Sequence, residues 1–528
     1  APPCHGGGRG FESRRGRQCL GVRSEAFVFF LVKRLTKPAT STARVLVSEV
    51  TSRFGRPPGD TVSDFPYADR YPVNRTLPPT GRSRAEILEE LRTMAREENA
   101  TWETGQCSGT MYCGDHEHYD FLNESFGLFA HVNPLQRDMC PSATRFEGEI
   151  IAMALDLMHA DAARERGHEP VGLVTSGGTG SIIHALLAYR EHAGKERPNF
   201  VKPETGHPAF DKGCHLFGIE MRVAPIDPET TKVDVAAMSE LIDDNTIAIM
   251  GSACNYGYGT IDPIAELAEL AQSRGVGMHV DGCLGGFLLP FGEELGVANI
   301  PEFDFRIPGV TSISADTHKY GYALKGSSTL LFRDKALRNS QYFHLLEWSG
   351  GKYMSPGIEG SRSGGLLAAT WASMVSLGRE GYRDYARTIF ETAAAMQSVI
   401  RRHPQLQILG DPTFCFSFTS DQFDIYHVMD SMGPKGWRFN GQQYPNAIHM
   451  AVTRPQTQPG LVERFETDLA EAVDYAISKG HEPSFSSAVY GGVAGGLDDA
   501  TEEFIVTIMN DMLDKQQSLP PGSVDADA

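Results

Sequence analysis

Apolar and polar positions fall into blocks along the chain. From about residue 145, short apolar runs at 171–175, 221–226, 246–252, 276–280 and 327–332 alternate with stretches in which apolar positions recur every three or four residues, at 146–158, 181–189 and 261–273. Runs of about five apolar residues read as strands buried on both faces, and the 3.6-residue period reads as helices packed along one side. Strands alternating with helices predict a mostly parallel sheet covered on both faces, so residues 146–365 are expected to form a large α/β domain. The texture changes after Gly364-Gly365. Residues 366–402 form one long helical pattern broken at Gly378 and Gly381, followed by strand-like 414–418 and 448–452 and an amphipathic helix at 461–477. A smaller α+β domain over 366–515 is expected there, with no internal repeat in either part.

Composition sharpens this only at the ends. At 528 residues the chain is long enough for two to four packing units. Its 55 glycines and 31 prolines, about one residue in six, are below the level of low-complexity chains. The longest apolar run, 26–32, ends at Lys33-Arg34. It is far short of the roughly 20 residues that span a bilayer and suggests at most a weak contact with a membrane surface. The net charge of −19 is uneven: residues 1–56 carry eleven Lys and Arg against three Glu, leaving −27 on the remainder. A body this acidic repels nucleic acid. The basic head follows no amphipathic import pattern, so 1–80 reads as a partly disordered extension, 81–145 as an N-terminal segment contributing to a dimer and to the site, and 516–528 as a frayed tail. Nine scattered cysteines form no disulfide framework and fit a reducing, cytoplasmic setting.

Four features of the α/β region carry chemistry together. Ser176-Gly-Gly-Thr-Gly180 joins a strand to a helix, where glycines let the backbone approach an anion and free N–H groups bind phosphate. His207 precedes Pro208-Ala-Phe, a place where a helix-start histidine is also common. His279-Val-Asp281 ends an apolar strand, where open α/β sheets bind ligands, although a lone Asp there also serves as a cap. Asp316-Thr-His318-Lys319 follows another such stretch, and a partly desolvated lysine amine forms Schiff bases. In this order the four are the parts for pyridoxal 5′-phosphate on an aminotransferase-like, fold type I transferase. Lys319 would hold the aldehyde as a Schiff base, Asp281 would keep the pyridine nitrogen protonated, His207 would stack on the ring and the glycine loop would take the phosphate.

The block 303–328, which contains Ser314-Ala-Asp-Thr-His-Lys-Tyr-Gly-Tyr-Ala-Leu-Lys325, closely resembles sphingosine-1-phosphate lyase. So do 279–287 and 355–364, with Ser108-Gly-Thr-Met-Tyr112 and Asn133-Pro-Leu-Gln136 upstream. The resemblance covers roughly 80–480, and the glutamate and aromatic amino-acid decarboxylases share its Lys, Asp and His positions. It implies cleavage of the C2–C3 bond of sphingosine 1-phosphate, or a similar phosphorylated long-chain base, to phosphoethanolamine and a long-chain aldehyde by retro-aldol chemistry. It also implies a homodimer with shared sites. Gly178, Thr179 and His318 would contact the cofactor phosphate from their own chain, and Gly360 and Ser361 from the other. Tyr112, Lys319, Lys325 and either Tyr256 or Tyr258 are the acid/base candidates. Tyr112, Asn133, Gln136 and Lys325 would border the substrate. The alternatives are an amino-acid decarboxylase of the same group, and a scaffold that keeps the fold without turnover.

Several positions depart from that pattern: Gln136 stands in place of a histidine, Gly180 of a glutamate, Gly282 of an alanine and Ser363 of a proline. Gln136 can still donate an amide N–H to a phosphate but brings no charge. Cys107, Cys113, His116 and His118 cluster in sequence, yet their spacing matches no usual zinc pairing, and no metal is expected.

Overall fold

The computed structural model describes residues 65–492 and 499–519. The basic head with its apolar stretch at 27–32, and the end of the tail, lie outside the described residues. Of the described residues, 81–492 belong to one compact unit; 65–80 and 499–519 belong to a second, which contains the helix Asp499–Gln517.

The apolar runs become strands β1 (Val171–Thr175), β3 (Glu220–Ala224), β4 (Thr246–Ser252), β5 (Gly277–Asp281) and β7 (Ser328–Phe332). Two further strands of the same sheet are not apolar runs: β2 (Asn199–Pro203) and β6 (Ser312–Ala315). In β2 the buried Lys202 is neutralised by Asp211 at 2.6 Å and donates to Gly206 O at 2.9 Å. In β6 the hydroxyls of Ser312 and Ser314 are bonded to the ring of buried His279. Buried polar atoms that find partners are tolerated in a core strand.

The seven strands lie in the order β1-β7-β6-β5-β4-β2-β3. Every pairing is parallel except those of β7, which runs against both β1 and β6. The carboxyl ends of β1, β2, β5 and β6 therefore open toward one edge, where ligands bind in open α/β sheets. Helices α1 (Pro141–Leu157), α2 (Gly178–Ala193), α3 (Ala209–Phe217) and α4 (Ile264–Arg274) bury their apolar faces against the strands.

Helix α5 (Gly364–Arg401) carries the chain from this sheet to a second one. Its first turn is capped by Ser363, whose hydroxyl accepts the Leu366 N–H at 3.2 Å. It breaks at Gly378 (φ 58°) but runs unbroken through Gly381. The second sheet is antiparallel, in the order β10 (Gln407–Ile408), β11 (Cys415–Thr419), β13 (Ala447–Ala451), β12 (Asn440–Gln442). Phe416, Phe418, Ile448 and Met450 on it, and Phe465 and Leu469 of α6 (Leu461–Lys479), belong to one hydrophobic core. A short hairpin, β8 (Phe343–Leu345) with β9 (Tyr353–Ser355), stands apart from both sheets. Among the described residues no helix is long and apolar enough to cross a membrane, and the seven described cysteines are all free thiols.

Candidate active site

A cavity of about 780 Å³ opens at the shared carboxyl ends of the strands. One wall is the turn from β1 into α2. Gly177 sits at φ 126°, which only glycine adopts without strain. A Cβ at Gly178 would lie 2.6 Å from Asp316 Oδ2, so glycine is the residue that lets the loop lie against that carboxylate. Beneath the loop, hydroxyls of Thr175, Ser181 and Ser328 form a buried chain at 2.6 and 2.8 Å. The first N–H groups of α2 consequently face the cavity with no intrahelical acceptor, the arrangement that holds an anion.

Lys319 enters the cavity from the turn after β6. Its Nζ lies 2.9 Å from Asp316 Oδ2. Burial alone would discharge the amine, but Asp316 outweighs it and holds Lys319 well above the usual lysine range. Asp316 is 2% exposed, and its Oδ1 has no hydrogen-bond donor among the described residues. His318, from the same turn, has Nδ1 2.6 Å from Ser327 O. A carbonyl only accepts, so Nδ1 carries the proton and burial keeps the ring below the usual histidine range.

Asp281 ends β5. Its Oδ1 accepts the Cys283 N–H at 3.0 Å and the Ser314 hydroxyl at 3.3 Å; among the described residues Oδ2 has no hydrogen bond, and Asp281 lines the cavity. Behind Ser314 stands the neutral, buried His279, pushed down to about 4 by burial. His207 lines the cavity between β2 and α3. Its Nδ1 accepts the Ala209 N–H at 3.1 Å, and burial holds the ring below the usual range, so the neutral ring keeps its proton on Nε2.

Lys325 lines the cavity with Lys319. Its Nζ donates to Thr110 O at 2.8 Å and sits 4.5 Å from the centre of the Tyr112 ring. Burial first, then the neighbouring Lys319 ammonium, push it down to about 8. Burial pushes the Tyr112 and Tyr256 phenols up to about 12. Tyr256 stacks on His449 at 4.4 Å, and its phenol feels both Tyr112 and Lys319. Tyr258 turns elsewhere: its N–H is held by Asn255 Oδ1 at 2.8 Å and its hydroxyl donates to Tyr444 O at 3.3 Å. Tyr256 thus lies within electrostatic reach of Lys319 and Tyr258 does not, although neither tyrosine, nor Tyr112, is among the residues that line the cavity.

Asn133, Gln136, Gly360 and Ser361 do not line this chain's cavity. Asn133 Nδ2 donates to Ser361 Oγ at 3.0 Å, and the Gln136 N–H to Asn133 O at 3.0 Å, so the four are grouped elsewhere on the chain. Arg362 anchors that group. It bonds both oxygens of Glu147 at 3.0 and 3.1 Å and the carbonyl of Val174, just before the glycine loop. Two residues that sequence reasoning passed over belong to the site: Asp316, whose position before the lysine carried no separate signal, and Glu359, which binds Ser176 Oγ at 2.5 Å. Among the described residues no group of three His, Cys, Asp or Glu is arranged to hold a metal.

The donor set fits pyridoxal 5′-phosphate: a lysine amine in the cavity, a carboxylate at the end of β5 for a ring N–H, a flat neutral imidazole and the open N–H groups at the start of α2 for the phosphate. Comparison with known proteins agrees. Residues 66–418 match the family described as the pyridoxal-dependent decarboxylase conserved domain. The chain is 41% identical to sphingosine-1-phosphate lyase of Dictyostelium discoideum over 444 residues, 83% of this chain and 82% of that protein. Among solved structures, sphingosine-1-phosphate lyase of Burkholderia pseudomallei aligns with a TM-score of 0.80 and 54% identity, covering 85% of this chain and 99% of the other. A glutamate decarboxylase from Lactobacillus brevis, at 21% identity and a TM-score of 0.66 over 78% of this chain and 97% of its own, shares the fold.

Proposed function

Because this chain belongs to the sphingosine-1-phosphate lyases of the pyridoxal-dependent decarboxylase family, we propose that it cleaves the C2–C3 bond of sphingosine 1-phosphate, releasing phosphoethanolamine and a long-chain aldehyde. The observation that carries this reading is the pair of amines, Lys319 and Lys325, in one cavity with different proton affinities. Bound pyridoxal 5′-phosphate supplies the electron sink for the charge left on C2 when the bond breaks. Lys319 would anchor the cofactor, the α2 turn with Gly178, Thr179 and His318 would bind its phosphate, Asp281 would keep its ring nitrogen protonated, and His207 would offer its neutral ring for stacking.

Lys319 Nζ, 2.9 Å from Asp316 Oδ2, is held as an ammonium when it is free and is then a proton donor. Tyr112 and Tyr256 retain their phenolic protons at neutral pH and serve as hydrogen-bond donors. Lys325, near 8, is the group matched to accept the proton from the C3 hydroxyl. C2 then takes a proton, so the proton lost from C3–OH is balanced and no oxidant is needed.

The position of Gly360 and Ser361 outside their own chain's cavity supports a homodimer in which each chain completes the other's phosphate site. Asn133 and Gln136, grouped with Ser361, would then border the substrate across that interface. The free thiols fit a reducing, cytoplasmic setting. The test is product analysis with sphingosine 1-phosphate, glutamate and tyrosine in parallel. Long-chain aldehyde from the first, with no carbon dioxide from the others, is expected. Carbon dioxide without aldehyde would assign a decarboxylase.

A further inference from the structure

The glycine-loop wall of the cavity carries a polar network that neither the cofactor's anchor nor the substrate's cations use. Glu359, on the segment between β9 and α5, reaches across to the loop. Its Oε1 accepts the Ser176 hydroxyl at 2.5 Å, and its Oε2 lies 3.1 Å from His184 Nε2. His184 is buried, and its Nδ1 is 2.7 Å from Gly180 O. That carbonyl only accepts, so Nδ1 bears a proton. At Nε2 the Ile358 N–H, at 3.0 Å, competes with the carboxylate, which forms an ion pair only when the ring is protonated. Either contact fastens the segment to α2. Packing fastens it too, since a Cβ at Gly357 would sit 2.4 Å from His184 Nε2.

One carboxylate therefore ties Ser176, which opens the anion loop, to the buried histidine that holds Gly180, which closes it. The space it occupies is informative. A Cβ at Gly180 would lie 2.7 Å from Ser176 Oγ and 3.8 Å from Glu359 Oε1. The glycine at 180 thus leaves Ser176 Oγ free to turn to Glu359. A negative group beside an anion loop is unfavourable unless it is engaged; here Oε1 is engaged by the Ser176 hydroxyl, and Oε2 faces His184 Nε2. Its contribution is then to the shape of the loop.

We propose that Glu359 is a positioning residue for the cofactor's phosphate: by holding Ser176 and the His184–Gly180 turn in one arrangement, it presets the loop for the anion. The test compares pyridoxal 5′-phosphate with pyridoxal, which lacks the phosphate, titrated into the full-length protein stripped of cofactor. Glu359→Ala and Ser176→Ala break the same bond from either side. Each is expected to weaken pyridoxal 5′-phosphate binding about tenfold while pyridoxal binding moves less than about twofold, the double variant being no weaker than the weaker single one. Pyridoxal binding also reports that each variant is folded. Unchanged affinity for pyridoxal 5′-phosphate in both variants, or a parallel loss for the two ligands, would overturn the assignment.

Discussion

Lys325 is where charge and chemistry meet most closely. Arginine at this position keeps the cation but does not titrate near neutrality. Lys325→Arg should therefore leave KM within a few-fold, lower kcat about 100-fold or more, and remove the acid limb expected near pH 8, where the wild-type amine loses its proton. A large rise in KM with kcat intact would make Lys325 a phosphate ligand only. Tyr256→Phe should cost about 100-fold in kcat, whereas Tyr258→Phe, whose hydroxyl is spent on Tyr444 O, should stay within a few-fold. Steady-state rates on both variants decide it. Lys319 and Asp281 were legible from motifs that follow or end apolar stretches, and His207 from its place before Pro208-Ala-Phe; all three line the cavity. Asp316 and Glu359 were not, because their roles arise from distances: 2.9 Å to Lys319 and 2.5 Å to Ser176, set by the fold. Nor did spacing separate Tyr256 from Tyr258, two residues apart on one turn.

At the level of elements, the start of α5 matters most, since it follows the segment that bears Glu359, Gly360 and Ser361. Ser363 replaces the proline expected there and caps the helix instead. Ser363→Ala should cost about 1 kcal/mol of stability, read as a lower denaturant midpoint, with a rise in the cofactor's dissociation rate as the segment loosens. An unchanged midpoint would show that the cap contributes nothing. Strands with continuous apolar runs were found in the sequence within a residue or two. β2 escaped because a polar side chain fills it, Lys202 neutralised by Asp211; β6, read only as the stretch before Asp316, carries two serines bonded to His279. The reversed direction of β7 was also hidden, because burial on both faces gives the same run of apolar residues whichever way a strand points.

For the whole molecule, the proposed sharing of sites between chains leads to a complementation test. Lys319→Ala lacks the anchor, and a Gly360→Asp, Ser361→Asp double variant would repel the partner's phosphate. Each alone should be inactive, and mixing them under conditions that exchange subunits should restore activity, because one hybrid site has both intact halves. No recovery from a demonstrated hybrid would mean that each chain completes its own site. The sequence pointed to such sharing only through resemblance, since nothing in periodicity or charge shows which surface a second copy covers. The most direct test of the whole account is aldehyde release from sphingosine 1-phosphate by the wild-type protein and by Lys319→Ala, with bound-cofactor absorbance recorded on both. Stoichiometric long-chain aldehyde and phosphoethanolamine from the wild type, with loss of both turnover and absorbance in the variant, is the predicted result. Aldehyde release that persists in Lys319→Ala, or a cofactor-loaded wild type that releases none, would contradict it.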